Sequence, residues 1–430
     1  MNDRARTHSA FARLLSSAVV SQALLSAANF GIGLILIRSA ADVEYAYYVL
    51  AASAILLVVS LQNALFNPAL ALRLNRLDRP QRADLIGGLY REQQRLLRAV
   101  AALVLVGALG LWSVHMLDRH TVPLVLGAAA AAIAILHREY FRMVLLSLRR
   151  PQDVLRTDIF YVVLIVAGAY AATFTSGPAL AALLALCLAA VASGVMLSRT
   201  LRRDEPWNVA GARGILRDIA PLAAWSTAGA AIHWTFSQGY VYLVAGTLDI
   251  AAVSAIAATR LLLMPVNLLS TGIGSLMLPL ASGWLHRHGA ALVWRRLCLF
   301  ATGLAVAMLC YFCVLWFMRD WIFTVILKKQ FAQADALLIL WGALFLVMVV
   351  RDQLVYLLAA QGQFRQLTLL TAASAAIALV ASYGAMLQFG VVGALGGLLI
   401  GELISTAGIV VLSLRRKAAH APIAAPQPVK

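Results

Sequence analysis

The chain has 430 residues, of which 62% are apolar and only 12% are charged, and its mean hydropathy is +0.85. Soluble domains carry about 25% charged residues, so this composition excludes a soluble globular protein and predicts an all-α polytopic membrane protein. The formal net charge of +17 is the one bulk property that could suggest a nucleic-acid partner.

Apolar stretches of membrane-spanning length recur along the whole chain, and we predict about 12 transmembrane helices. They lie at residues 13–37, 46–71, 96–114, 122–146, 157–175, 178–198, 219–245, 250–283, 297–318, 332–358, 366–388 and 391–414. Six spans on each side of a polar segment predict two six-helix lobes, residues 1–198 and 219–414. A cytoplasmic linker, residues 199–218, joins the lobes, and residues 415–430 form a disordered cytoplasmic tail.

Basic residues are distributed unevenly between the loops. Most of the 35 Lys and Arg residues fall in the N-terminus, the even-numbered loops and the C-terminal tail. Because positively charged loops stay in the cytoplasm, both termini are predicted to be cytoplasmic, and the same bias explains the net charge without nucleic acid. His137, Arg138 and Glu139 interrupt the predicted fourth span, and Arg138 and Arg142 are assigned to the loop that follows it. This assignment leaves Arg260 and Arg351 as the two basic residues inside spans.

The most basic loop, residues 73–98, is predicted to form an amphipathic helix on the cytoplasmic surface from Ala83 onward. Such a helix serves either as a simple topology anchor or as a contact for anionic lipid headgroups.

Polar residues recur at helical spacing in the first, second and seventh spans. They are Gln22, Ser26, Asn29 and Gly33; Ser53, Ser60, Asn63 and Asn67; and Ser226, His233, Ser237 and Tyr240. Each stripe taken alone is explained by packing between membrane helices. Together with a polar face in the eighth span, these stripes fall in the first two spans of each lobe. This concentration predicts instead a polar cavity between the lobes, lined by Asn29, Asn63, Asn67 and His233.

The eighth span, AAVSAIAATRLLLMPVNLLSTGIGSLMLPLAS, is apolar except for one arginine and a few uncharged polar residues. A charge near the middle of a bilayer costs about 2.5–3.5 kcal/mol on insertion scales, so it usually faces a cavity or a partner. In a continuous helix Arg260, Asn267 and Thr271 would share one face, with a bend near Pro265. A guanidinium binds phosphate oxygens bidentately, so we predict that Arg260 and Asn267 contact an anionic lipid phosphate.

Three other ionisable residues lie in the last spans. Glu402 falls near the middle of the twelfth span, and Arg351 and Asp352 lie toward the cytoplasmic end of the tenth. A carboxyl group in apolar surroundings is either a structural partner of an arginine or a group that exchanges a coupling cation. Glu402 and Asp352 are therefore candidates for coupling to H⁺ or Na⁺, and Arg351 is explained by a side chain that reaches toward the membrane surface.

Catalytic and cofactor motifs are absent from the sequence, including nucleotide-binding loops, nucleophile elbows and paired metal-ligand motifs. Cys310 and Cys313 form a CxxC without a second ligand pair, and we interpret them as packing residues. The N-terminal apolar run is too long for a cleavable signal peptide. The prediction is a protein that is not an enzyme and that uses no cofactor or metal.

Three segments resemble the polysaccharide-exporter branch of the multidrug/oligosaccharidyl-lipid/polysaccharide (MOP) superfamily, which contains the O-antigen and exopolysaccharide flippases. They are SAIAATRLLLMPVNLLSTGIGSLMLPLAS in the eighth span, GVVGALGGLLIGELIS in the last span and FGIGLILIRSAADVEYAYYVLA near the N-terminus. The chain departs from the family in the third segment, where Val43, Glu44 and Tyr45 stand in place of a glycine before an aromatic residue.

The resemblance implies a MATE-like V-shaped pair of six-helix lobes around a central cavity. It also implies translocation of an undecaprenyl-diphosphate-linked oligosaccharide across the bacterial inner membrane by alternating access. The implied partners are this lipid-linked substrate, membrane lipids, a coupling cation, and polysaccharide polymerase and export proteins.

Two alternatives remain at this point. A MATE-type ion-coupled exporter of small organic molecules would have the same fold, but it should carry carboxylates rather than an arginine as its dominant intramembrane charge. A membrane polysaccharide polymerase or ligase would need a sizeable outside loop with acid and base groups, and the longest outside loop here spans only about residues 319–331.

Overall fold

A computed structural model describes residues 2–74, 77–115, 118–205, 207 and 214–419. Within these ranges the regular elements are all helical. The α-helices are α1 (Asn2–Ser39), α2 (Asp42–Arg73), α3 (Arg79–Ser113), α4 (Thr121–Ser147), α5 (Pro151–Ala172), α6 (Pro178–Asp204), α7 (Ile215–Thr247), α8 (Ile250–Leu261), α9 (Met264–Phe317), α10 (Arg319–Trp321), α11 (Ala334–Ala360) and α12 (Phe364–Ala419). A π-helical turn, Ile322–Leu327, follows α10.

The prediction of an all-α polytopic membrane protein is confirmed. Nine helices of the described chain are long and apolar enough to cross a membrane, and the bent pair Ile250–Leu261 and Met264–Gly274 would add a tenth. Eleven of the twelve predicted spans coincide with one helical segment each, and the eighth, residues 250–283, covers α8 and the first part of α9.

Two of the helices are long enough for two membrane crossings. α9 has 54 residues and α12 has 56, which at 1.5 Å per residue is about 80 Å. Both are interrupted by a glycine with a positive φ: Gly289 has φ 77° and ψ 172°, and Gly390 has φ 57° and ψ −135°. Only glycine adopts these angles without a steric cost, so the two glycines separate adjacent predicted spans.

The helix predicted from Ala83 onward is the first part of α3, which continues without a break into the third span. It begins at Asp78 with a capping box to Gln81. Its apolar residues Leu85, Ile86 and Leu89 are buried among side chains of α2, α4 and α6, so they stabilise the protein core rather than a contact with lipid headgroups.

The chain divides into two compact units, residues 1–234 and 235–430, with the boundary inside α7. The predicted linker, residues 199–218, includes residues 206 and 208–213, which lie outside the described residues. Of the predicted tail, residues 415–419 belong to α12, and residues 420–430 lie outside the described residues.

The core of the first unit combines apolar packing with buried amides. Tyr140 donates a hydrogen bond of 2.6 Å to the Ile86 carbonyl oxygen, which ties α4 to α3. The side-chain amides of Gln62 and Gln93 both donate to the Leu136 carbonyl oxygen, at 2.9 and 2.8 Å. These bonds satisfy polar groups that would otherwise be costly in an apolar interior.

In the second unit, the two parts of α12 pack closely against each other on either side of Gly390. A Cβ on Gly397 would lie 2.1 Å from the Ser382 backbone nitrogen, and one on Gly393 would lie 2.2 Å from the Ala385 carbonyl oxygen. The small residues therefore allow the two backbones to approach, as is typical of membrane helix pairs. The last helical segment, which carries Glu402, is held in place by this contact.

Candidate functional site

Arg260 lies in the last turn of α8, in the second unit. Its Nη1 donates to Gln238 Oε1 at 3.2 Å and to the Tyr240 hydroxyl at 3.1 Å. The guanidinium carbon is 5.4 Å from the centre of the Trp341 ring and 5.9 Å from that of Tyr240. These contacts orient the cation through neutral groups and aromatic faces, which attract a cation without neutralising it.

The ion pairs of the described residues do not include Arg260, which distinguishes it from Arg138, Arg142 and Arg351. The negative end of the α8 helix dipole offsets part of its charge, but a helix terminus carries only about half an elementary charge. Arg260 thus carries a positive charge that no ion pair of the described residues balances.

The helix ends immediately after Arg260, which corrects one step of the sequence prediction. α8 stops at Leu261, and Met264–Gly274 is inclined to it by 53°, so Arg260 and Asn267 do not share one face of a continuous helix. Pro265 occupies the first turn of α9, where its missing N–H is tolerated. Tyr311 donates a 2.6 Å hydrogen bond to the Leu262 carbonyl oxygen at the break. Asn267 is exposed beyond the bend, and the Thr271 side chain lies outside the described residues.

The other predicted cavity residues all belong to the first unit. Asn63 and Asn67 on α2 line a cavity of about 430 Å³, which extends along α4. Asn29 and His233 are exposed on α1 and α7. That these residues and Arg260 line one common cavity between the lobes stays a prediction.

A buried charge cluster in the first unit was missed by the sequence analysis. It consists of Arg138, Glu139 and Arg142 on α4, Asp158 on α5 and Ser21 on α1. Arg138 is 2% exposed and Asp158 is 0% exposed. Counting Arg138 and Arg142 with the fourth loop was therefore wrong, because both lie within α4.

Each charge of this cluster has a partner of opposite sign. Arg138 donates to Glu139 at 2.7 Å and also to Asp158, and its guanidinium lies 3.9 Å from the Tyr161 ring centre. Arg142 bridges Asp158 at 3.2 Å and Glu139 at 3.4 Å, and Ser21 donates to Asp158. A signal was present in the sequence, because a lone carboxylate in the fifth span requires a partner, and residues 138 and 142 share a helix face.

A second cluster joins α11 to α12 in the second unit. Arg351 donates to Asp352 Oδ1 at 2.8 and 3.1 Å and to Glu402, and its guanidinium lies 6.0 Å from the Phe236 ring centre. Arg351 is thus held by the carboxylates of Asp352 and Glu402, the two coupling candidates. The prediction that its side chain extends toward the membrane surface is therefore wrong. Glu402 is buried, and Asp352 is partly exposed.

None of the four cysteines, Cys187, Cys298, Cys310 and Cys313, forms a disulfide, and the last two are exposed. Among the described residues no group of three or more His, Cys, Asp or Glu side chains could hold a metal ion.

No protein-family model and no curated protein matches this chain. Solved transporter structures do match it over nearly the whole length. A multidrug resistance MATE family transporter of the MOP superfamily, in its inward-facing conformation, superposes with a TM-score of 0.78 at 13% identity, covering 91% of this chain and 94% of that one.

Two further structures support the same fold. One is a MOP superfamily transporter from Pyrococcus furiosus, with a TM-score of 0.66 at 13% identity, covering 95% of this chain and 96% of that one. The binding pocket of that transporter is described as having reverse polarity, which suggests a different function for it. A mutant Vibrio cholerae MATE transporter has a TM-score of 0.61 at 14% identity, with 96% and 98% covered. The chain therefore has the fold of MATE transporters of the MOP superfamily.

Proposed function

We propose that this protein translocates a lipid-linked oligosaccharide, carried on undecaprenyl diphosphate, across the bacterial inner membrane by alternating access. The product would supply exopolysaccharide or O-antigen synthesis, together with polysaccharide polymerase and export proteins. Both chain termini would lie in the cytoplasm, where the distribution of basic residues places them. The shared fold supports transport, and the resemblance of the spans quoted above supports this substrate class.

The single observation that carries the proposal is Arg260, a membrane-embedded arginine held by neutral groups. A guanidinium within a spanning region is costly, so it is retained where an anion or a cavity compensates it. A diphosphate offers oxygens that match the geometry of a guanidinium. Gln238, Tyr240 and Trp341 fix the arginine before a ligand arrives, which lowers the entropy lost on binding.

Export of small organic molecules is the alternative that the fold allows equally well. An exporter of organic cations needs a carboxylate that is available to the substrate. Within the described part of the chain, Asp158, Glu139, Asp352 and Glu402 each contact an arginine. This pairing favours the anionic substrate, and efflux of cationic dyes by cells that express the protein would favour the alternative.

Arg260→Ala should reduce polymer export by about 10- to 100-fold, since a hydrogen bond to a charged group contributes about 1.5–3 kcal/mol. The assay complements a deletion strain that accumulates the lipid-linked oligosaccharide, and immunoblotting of membranes verifies the protein level. Arg260→Lys, which keeps the charge without the bidentate geometry, should give partial export. Arg319→Ala is the matched control because Arg319 lies beside the outside loop and pairs with Asp335. Normal export by Arg260→Ala would remove this residue from the substrate site.

Glu402→Gln should abolish the response of transport to an ion gradient if Glu402 exchanges the coupling cation. The substitution keeps the side-chain shape, and Arg351 retains its 2.8 Å contact with Asp352. Transport into proteoliposomes is measured with and without an imposed H⁺ or Na⁺ gradient, and Asp352→Asn is compared in parallel. A Glu402→Gln protein that still responds fully to both gradients would leave the carboxylate with a structural role only.

A further inference from the structure

The cavity between α2 and α4 of the first unit combines hydrogen-bond donors and acceptors in one place. It measures about 430 Å³, within the range of about 300–1,000 Å³ that is typical of small-ligand sites. Its polar lining includes Asn63, Asn67, Glu139, Arg142 and Arg149.

One acceptor in this lining lacks a donor. Asn63 Oδ1 is buried and has no hydrogen-bond partner among the described residues. Buried carbonyl oxygens of this kind are normally satisfied by protein or ordered water, so an unpaired one points to a group that supplies a hydrogen. A hydroxyl group can donate to it, whereas a phosphodiester group, which carries no O–H, cannot.

Two donors in the lining carry positive charge. Arg149 is exposed just beyond the end of α4, and the ion pairs of the described residues do not include it. Arg142 reaches the cavity from the buried charge cluster, where it contacts Glu139 and Asp158. Glu139 also lines the cavity, but both of its oxygens accept from arginines, Oε1 from Arg138 and Oε2 from Arg142. The charge of Glu139 is therefore already balanced by two arginines, which disfavours a cationic ligand here.

We propose that this cavity binds a phosphate ester that carries hydroxyl groups. The phosphate oxygens accept from the Arg149 guanidinium, with Arg142 as the second positive charge, and a ligand hydroxyl donates to Asn63 Oδ1. A neutral sugar would leave Arg149 unused, and a phosphodiester without hydroxyl groups would leave Asn63 Oδ1 without a donor. A ligand with both functions engages Arg149 and Asn63 Oδ1 together.

This chemistry has two sources in a bacterial membrane. One is the glycosyl phosphate portion of a lipid-linked substrate, in which case the inference deepens the proposed function and rests on it. The other is the headgroup of phosphatidylglycerol, whose phosphodiester carries glycerol hydroxyls. The two sources share the ligand class and are separated by the choice of probe.

The test is a binding titration of the purified full-length protein by native mass spectrometry. The probes are a polyprenyl phosphoglucose, phosphatidylglycerol and phosphatidylcholine, which has a phosphodiester but no hydroxyl group. Arg149→Gln should weaken binding of at least one of the first two probes by about tenfold, since a charged hydrogen bond is lost. Asn63→Leu should weaken it by about fivefold, since one neutral hydrogen bond is lost.

Arg150→Gln is the matched control. Arg150 is the next residue in the chain and carries the same charge, but it pairs with Asp153 at 2.7 Å and does not line the cavity. Its substitution should leave binding within a factor of about two, the effect of a surface charge. Thermal unfolding of each variant verifies that the fold is kept.

Preferential binding of the phosphoglucose lipid, sensitive to both cavity variants, would support a substrate source, and preferential binding of phosphatidylglycerol would support a bilayer lipid. Equal binding of phosphatidylcholine, or equal losses in Arg149→Gln and Arg150→Gln, would overturn the proposal. Because no transport is measured, the result is independent of the Arg260 export assay. If the export assay contradicts the proposed function, binding of phosphatidylglycerol in this cavity would still support the present proposal.

Discussion

Asp158→Asn should lower the free energy of unfolding by about 3–5 kcal/mol, the usual cost of removing one partner from a buried ion pair. Asp158 is fully buried and accepts from Arg138, Arg142 and Ser21. After the substitution, two guanidiniums would face Glu139 alone, and the new amide nitrogen would point a donor at other donors. One excess positive charge would then remain in the bundle of the first unit.

The measurement is reversible unfolding in mixed micelles, followed by far-UV circular dichroism. Asp335→Asn is the matched control, because Asp335 is 62% exposed and pairs with Arg319 at 3.2 Å. Solvent screens such a pair, so its loss should cost less than about 1 kcal/mol. Similar destabilisation by both substitutions would show that burial does not determine the strength of the Asp158 contacts.

A double substitution distinguishes loss of charge balance from loss of packing. Arg138→Met with Asp158→Leu removes one charge of each sign and leaves the Glu139–Arg142 pair at 3.4 Å. Replacement of a buried ion pair by apolar side chains is often neutral or stabilising. The double variant should therefore be more stable than either single variant, Arg138→Met or Asp158→Leu. Additive losses would mean that the cluster acts through its shape rather than its charges.

The buried cluster also marks where sequence reasoning fails in this chain. Positive-inside counting treats an arginine near a predicted loop as part of that loop, and Arg138 and Arg142 lie only a few residues from the end of the fourth span. Their partner Asp158 is on another helix, and Ser21 is more than a hundred residues away along the chain. A contact of that separation is determined by tertiary packing, which hydropathy and spacing do not describe.

Helices were predictable because a spanning segment must satisfy its backbone hydrogen bonds internally. The places where a helix ends were predictable only from residues that permit or favour a break, such as Gly390. The break between α8 and α9 falls at Leu262 and Leu263, which are good helix formers. Pro265 lies just after it, and the Tyr311 hydroxyl supplies a hydrogen bond from a distant position. The bend predicted near Pro265 is present, but the predicted shared face of Arg260 and Asn267 assumed a helix that continues through it and was wrong for this reason.

The same alanine substitution at two adjacent glycines of α12 should have opposite effects. At Gly397 a new Cβ would lie 2.1 Å from the Ser382 nitrogen and 2.4 Å from the Ser382 Cα. These are backbone atoms, so relief requires the two helical segments to separate. At Gly396 nothing lies within 4 Å of the new Cβ. Only the intrinsic preference for alanine in a helix, about 1 kcal/mol, acts there.

Gly397→Ala should therefore destabilise the protein by about 2–3 kcal/mol, the upper part of the usual cost of overpacking, despite its gain in helix propensity. Gly396→Ala should stabilise it by up to about 1 kcal/mol. Both are measured by the unfolding assay used for Asp158→Asn. The shift at Gly397 should also move Glu402, five residues further on, away from Arg351. The response of transport to an ion gradient should therefore weaken in Gly397→Ala and not in Gly396→Ala. Equal effects at the two positions would contradict the close backbone contact between the two parts of α12.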